Sequence, residues 1–175
     1  IAGADLQGNL FIRDVHERVQ KVLEMAEALS SRYHVVVANP PYMGAKGMDT
    51  ALSDFAKEKY PDSRFDLFAM FMERAITLSK HRGSVGMINM QGWMFASSLE
   101  ALRSKLLSLS TISTMAHLGS RAFDTISGEV VSTTAFTLLC NHLPDFRGTF
   151  LRLVDGRSEN EKQKAAREAI AIGTN

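Results

Sequence analysis

The apolar run Val35-Val36-Val37-Ala38 passes without a break into Asn39-Pro40-Pro41-Tyr42, and few folds accommodate that junction. Three successive β-branched residues favour extended backbone, and a run that is apolar on both faces reads as a strand buried in a parallel sheet. Each proline lacks an N–H, fixes its own φ at about −65° and holds its predecessor extended, so the strand must end in a stiff turn. In open α/β sheets ligands bind at the carboxyl ends of the strands. The expectation is an α/β domain whose working site is this corner.

The chemistry follows from what the corner can offer. A stiff turn can aim acceptors, and the Asn39 amide oxygen and the Pro40 carbonyl both suit the hydrogens of a planar amino group. The ring of Tyr42 suits stacking on the heterocycle that bears that amine. An aromatic amine is a weak nucleophile because its lone pair is delocalised into the ring. Two acceptors that draw its hydrogens out of plane expose the lone pair for attack on an electrophilic methyl, with positioning and electrostatics lowering most of the barrier.

A strand followed by Asn-Pro-Pro-Tyr resembles the catalytic motif of amino-group methyltransferases that use S-adenosyl-L-methionine, above all the adenine-N6 DNA methyltransferases. At average usage the four-residue string arises by chance in on the order of one in a thousand chains of this length. Further segments sharpen the likeness. Asn39-Pro40-Pro41-Tyr42-Met43-Gly44, Gln91-Gly92-Trp93-Met94-Phe95, His117-Leu118-Gly119-Ser120-Arg121-Ala122-Phe123 and Ser127-Gly128-Glu129-Val130-Val131 are similar to the PglX (BrxX) family of methyltransferases from BREX phage-exclusion systems. The similarity runs from about Tyr33 to Ile170.

The resemblance implies a three-layer Rossmann-like S-adenosylmethionine-dependent methyltransferase fold, of which this chain carries the carboxyl-terminal half of the sheet only. It implies methyl transfer to adenine N6 in double-stranded DNA, in phage defence or restriction-modification, with other phage-defence proteins as further partners. Asn39, Pro40, Pro41 and Tyr42 become the catalytic residues. An extruded base needs stacking to offset its unpairing, and Phe123 occupies the place of a second base-stacking aromatic beside Tyr42. Lys46 and Lys57 are candidate DNA phosphate contacts, and Asn39 is the one residue placed to meet the cofactor. The main cofactor motifs, a glycine-rich loop after a first strand and an acid after a second, do not appear before Val35; Ala2-Gly3-Ala4-Asp5 is a poor substitute because no apolar strand precedes it. An excised, inactive fragment of a larger enzyme is therefore expected. Two alternatives stay open: a methyltransferase acting on RNA guanine or a protein glutamine, and a non-catalytic DNA-binding specificity component.

Composition agrees with a globular cytoplasmic piece. The 175 residues are 45% hydrophobic and 22% charged, enough for one core, and a net charge of +1 leaves no basic footprint for nucleic acid. One cysteine, Cys140, precludes an internal disulfide and reads as an inert strand residue. The scattered histidines lack metal-ligand spacing, so no metal is expected. No apolar run approaches the roughly 18 residues of a membrane span.

Three regions are expected: an amino-terminal helical segment at 1–32, a catalytic-half methyltransferase domain at 33–150, and a charged linker or helix at 151–175. Within them the pattern predicts a helix from about Leu10 to Ser31, a loop with a short helix over Ala51 to Lys59, and a helix to about Ser79 that starts at Ser63-Arg64-Phe65-Asp66. Asp66 reads first as a helix cap, with orientation of the catalytic loop as the alternative. Strands are expected at Val35–Ala38, Val85–Ile88, Thr111–Leu118 and Val130–Leu139, the last antiparallel to its neighbour, with a helix over Ser98–Leu107. Trp93 and most methionines read as core. The first strand, normally mid-sheet, becomes an edge here, and self-association is expected from it.

Overall fold

The computed structural model describes residues 2–123 and 131–173, with side chains from residue 12 onward. The chain divides into two compact units at Arg32/Tyr33. The first is a single helix, α1 (Ala2–Ser30). Its Val15, Val19, Val22, Met25 and Leu29 recur at three- and four-residue spacing and are all exposed.

The second unit is an α/β domain built in the order β1 (Tyr33–Ala38), α2 (Thr50–Lys59), α3 (Leu67–Leu78), β2 (Ser79–Met90), α4 (Glu100–Leu109), β3 (Thr111–Gly119), β4 (Thr133–Leu139), β5 (Thr149–Arg152) and α5 (Glu159–Ile172). The five strands form one sheet in the order β1-β2-β4-β3-β5. β1 runs parallel to β2, and β3 to β5, while β4 is antiparallel to both β2 and β3. Four strands therefore end at the same edge of the sheet, and β4 begins there.

Cross-strand register sorts the side chains into two faces. Val85, Met87 and Asn89 of β2 stand opposite Leu138, Phe136 and Thr134 of β4, and this face is covered. Phe68, Ala69, Met72 and Ala75 of α3 and Leu102 and Leu106 of α4 close over it, with Trp93 and Leu99 in the same core. Burying several such side chains at about 1.5–3 kcal/mol each is what holds the helices on the sheet. The other face is thinly covered. Gly86, Ala116, Ala135 and Thr137 line an apolar groove of about 470 Å3 that Ile170 of α5 flanks.

Several expectations are corrected. The sheet has five described strands where four were expected; β5 is short and half exposed, and so lacks the alternation that marks a strand. The antiparallel strand has two antiparallel neighbours, because β4 inserts between β2 and β3. β2 begins six residues earlier than expected, at Ser79, since Tyr33 pairs with it across a register shift. β4 begins at Thr133, and position 130, the expected start, lies outside the described residues, as do 127–129 of the segment 127–131. Asp66 caps α3 as expected, its carboxylate accepting from the Phe68 N–H, but the helix opens at Leu67 and not at Ser63. Ser63 is instead buried and donates to Glu73 at 2.8 Å, and Lys105 pairs with the other oxygen of that carboxylate at 2.5 Å. Those partners lie far along the chain, where no local pattern reveals them.

Candidate active site

The corner Asn39–Tyr42 leaves β1 at the edge where four strands end. Asn39 and Pro41 are exposed and Pro40 is buried, so one proline seats the turn on the core while Asn39 stays at the surface. The Tyr42 ring meets the buried Phe68 ring edge-on, with centroids 6.2 Å apart at 89°. Partial burial pushes the Tyr42 phenol above its ordinary pKa, so it remains neutral and available as a stacking surface.

The turn is fixed on its far side as well. The Met43 N–H donates to the Asp66 carboxylate at 3.1 Å, the Leu67 N–H donates to the Met43 carbonyl at 2.9 Å, and the Ala45 N–H donates to the Phe65 carbonyl at 3.0 Å. Residues 43–45 are in effect a short antiparallel pairing with the start of α3, which includes a bridge between Gly44 and Asp66.

Phe123 lies on the same sheet edge, beyond β3. Two left-handed residues redirect the chain there, Gly119 at φ 66° and Arg121 at φ 57°. A Cβ at Gly119 would come within 3.0 Å of the Val154 side chain, so both the positive φ and the tight approach favour glycine there. A non-glycine residue in this region is uncommon and tends to persist where surrounding structure holds it. Phe123 is half-buried. β2 and β4 lie between β1 and β3, which at about 4.8 Å per strand separates the two strands by about 14 Å. Tyr42 and Phe123 thus share an edge without a described contact.

Lys46 and Lys57 are both exposed. Lys46 stands in the single-turn helix Ala45–Gly47, and Lys57 of α2 pairs with Asp54 at 3.0 Å. Among the described residues neither has a hydrogen bond or ion pair to the corner. Trp93 is buried in the core, as expected, and stacks at a tilt on Phe136. Cys140 is likewise buried.

Sequence reasoning missed three features of this edge. Asn89, near the end of β2, is fully buried, and neither polar atom of its side chain has a hydrogen-bond partner among the described residues. A carboxamide held that way is costly and is unusual outside functional regions. His117 binds the Gln91 side chain at 2.6 Å, tying the ends of β2 and β3 together, with the exposed Phe95 ring against it. Lys162 of α5 is buried and donates to the carbonyls of Leu118 at 2.7 Å and Leu153 at 2.9 Å. Only the polar residues in Met87-Ile88-Asn89 and Met90-Gln91, at a strand's carboxyl end, could have signalled the first two.

Parallel strands with one antiparallel insertion, helices over one face and a proline-stiffened corner at the carboxyl edge form part of a Rossmann-like S-adenosylmethionine-dependent methyltransferase fold. A Listeria monocytogenes protein described as a class I S-adenosylmethionine-dependent methyltransferase superposes with a TM-score of 0.57 at 11% identity, over 82% of this chain and 42% of its own. The DrdV–DNA complex gives 0.60 at 15% identity, over 79% of this chain and 16% of its own. The chain belongs to the Eco57I restriction-modification methylase family, whose sequence profile matches residues 7–123. It is 49% identical over 157 residues to the adenine-specific methyltransferase BrxX of Escherichia coli O9:H4 (strain HS), across 90% of this chain and 13% of that protein. It is 47% identical over 152 residues to the adenine-specific methyltransferase PglX of Lacticaseibacillus casei (strain Zhang), across 87% and 13%. The chain thus spans about an eighth of the length of these relatives.

Proposed function

We propose that the protein carrying this chain methylates adenine N6 in double-stranded DNA, with S-adenosyl-L-methionine as methyl donor, in defence against phage. The observation that carries the reading is the exposed Asn39 on a stiff turn at the edge of the sheet where its parallel strands end. Two relatives at 49% and 47% identity are both adenine-specific methyltransferases, which supports the target.

The fit to the cofactor is partial. The corner suits the amine that accepts the methyl, whereas the described residues before β1 form a helix and supply no strand leading into a glycine loop. When bound, S-adenosyl-L-methionine supplies an electrophilic methyl group. This chain's residues act on the other reactant. The Asn39 Oδ1 and the Pro40 carbonyl accept the two N6 hydrogens and so direct the nitrogen lone pair away from the ring plane. Tyr42 stacks on the extruded base, and Phe123 supplies a second face once the two loops lean together. Lys46 and Lys57 meet backbone phosphate, and further defence proteins assemble with the whole enzyme. Residues 33–150 act as the catalytic half-domain, with 1–32 and 151–175 as flanking segments.

Asn39→Ala in the protein carrying this chain tests the reading. Transfer of labelled methyl to DNA is expected to fall by about a hundredfold or more, since a preorganised acceptor is lost. Cofactor affinity by calorimetry should move far less. Methylation at the unsubstituted rate contradicts the assignment.

A further inference from the structure

We infer that Asp66 is a positioning residue for the catalytic corner: one carboxylate oxygen sets the Tyr42 ring by holding the chain immediately after it and the helix start that carries the ring's packing partner. This rests on the functional reading above and deepens it. Asp66 Oδ1 accepts from two amides, Met43 N at 3.1 Å and Phe68 N at 3.3 Å. Met43 follows Tyr42 directly, and Phe68 is the residue whose buried ring meets Tyr42 edge-on. The single oxygen therefore spans the sequence gap from 43 to 68 and fixes both sides of that aromatic contact.

Helix capping explains only half of this geometry. A cap needs an acceptor for an amide in the first turn, which serine, threonine, asparagine and aspartate all provide. The bond to Met43 needs an acceptor that reaches beyond the helix, and the longer Asp66 side chain supplies it. The neighbouring backbone bonds, Leu67 to Met43 and Ala45 to Phe65, bring the two segments together but end one residue short of Tyr42. Asp66 takes up the remaining amide next to the ring. Small misplacements of a substrate-holding group slow chemistry steeply, so this contact acts on turnover through Tyr42.

Two substitutions separate the roles. Asp66→Asn keeps an oxygen in the same place for both amides. Asp66→Ser keeps a capping oxygen for Phe68 but is too short to reach Met43. Both preserve the cap, so melting temperatures close to that of the unsubstituted protein are expected, and both proteins should fold. In the protein carrying this chain, D66N should transfer labelled methyl to DNA at close to the normal rate. D66S should lose about tenfold or more in kcat while its cofactor affinity stays unchanged. A fluorescent adenine analogue in the DNA should also report weaker retention of the extruded base in D66S alone. A smaller loss in D66S, or an equal loss in both variants, overturns the positioning role and leaves the functional reading standing. Absence of DNA methylation by the unsubstituted protein overturns the functional reading, and this inference with it.

Discussion

The His117 imidazole shows how one side chain reports on the architecture of the candidate site. Its pKa is lowered by burial first and then by the Arg152 and Lys162 charges, so the fold favours the neutral ring. In that state Nε2–H donates to the Gln91 oxygen at 2.6 Å. A group whose folded pKa is depressed in this way makes the unfolded chain the better proton acceptor. Stability is therefore full above the unfolded histidine value of about 6.5 and declines as pH falls through the lower folded value. Melting temperature is expected to drop as buffer is taken from about pH 7.5 to about pH 5, and His117→Gln should flatten that dependence. Asn39, Pro40, Pro41 and Tyr42 were legible in the sequence because their geometry is intrinsic to proline and to the strand before it. The pairing of His117 with Gln91 was not, since it joins residues 26 apart that only the sheet makes neighbours.

Among the helices and strands, those with a strong period were readable and those held by distant contacts were not. α3 and α4 fell close to expectation because Phe68, Met72, Ala75, Leu102 and Leu106 form stripes that the sheet buries. α5 is the opposite case. Its charged sequence reads as a solvated helix, yet Lys162 is buried and bonds the Leu118 carbonyl near the end of β3 and the Leu153 carbonyl just past β5, so its aliphatic stem and ammonium anchor the helix. Desolvation lowers the pKa of this lysine, the expected mark of an ammonium drawn out of water. Lys162→Met keeps the stem and leaves two carbonyls unpaired, at a cost of about 1–3 kcal/mol. A denaturation midpoint checks the magnitude, and faster amide exchange along Glu159–Ile172 checks that the anchor is the cause. β5 was not expected because four residues, nearly all of them exposed, carry no alternation; parallel pairing with β3 makes them a strand.

Across the Tyr33–Asn175 unit, the consequential feature is the open edge of the sheet. Val35 and Val37 are 62% and 77% exposed on β1, although the apolar run resembles an interior strand. Unpaired edges carrying apolar side chains template pairing with other chains. The isolated 175-residue chain is expected to self-associate with rising concentration, and Val37→Lys should suppress this in light scattering. A monomer at all concentrations would contradict the expectation. Local chemistry in the sequence specified the turn, its acceptors and the helices with a clear apolar stripe, because φ restriction and hydrophobic period act over a few residues. Pairing across the sheet decided the rest. It inserted β4 between β2 and β3, made a strand of Thr149–Arg152, and joined Asp66 to Met43, because such contacts depend on which distant segments share a core.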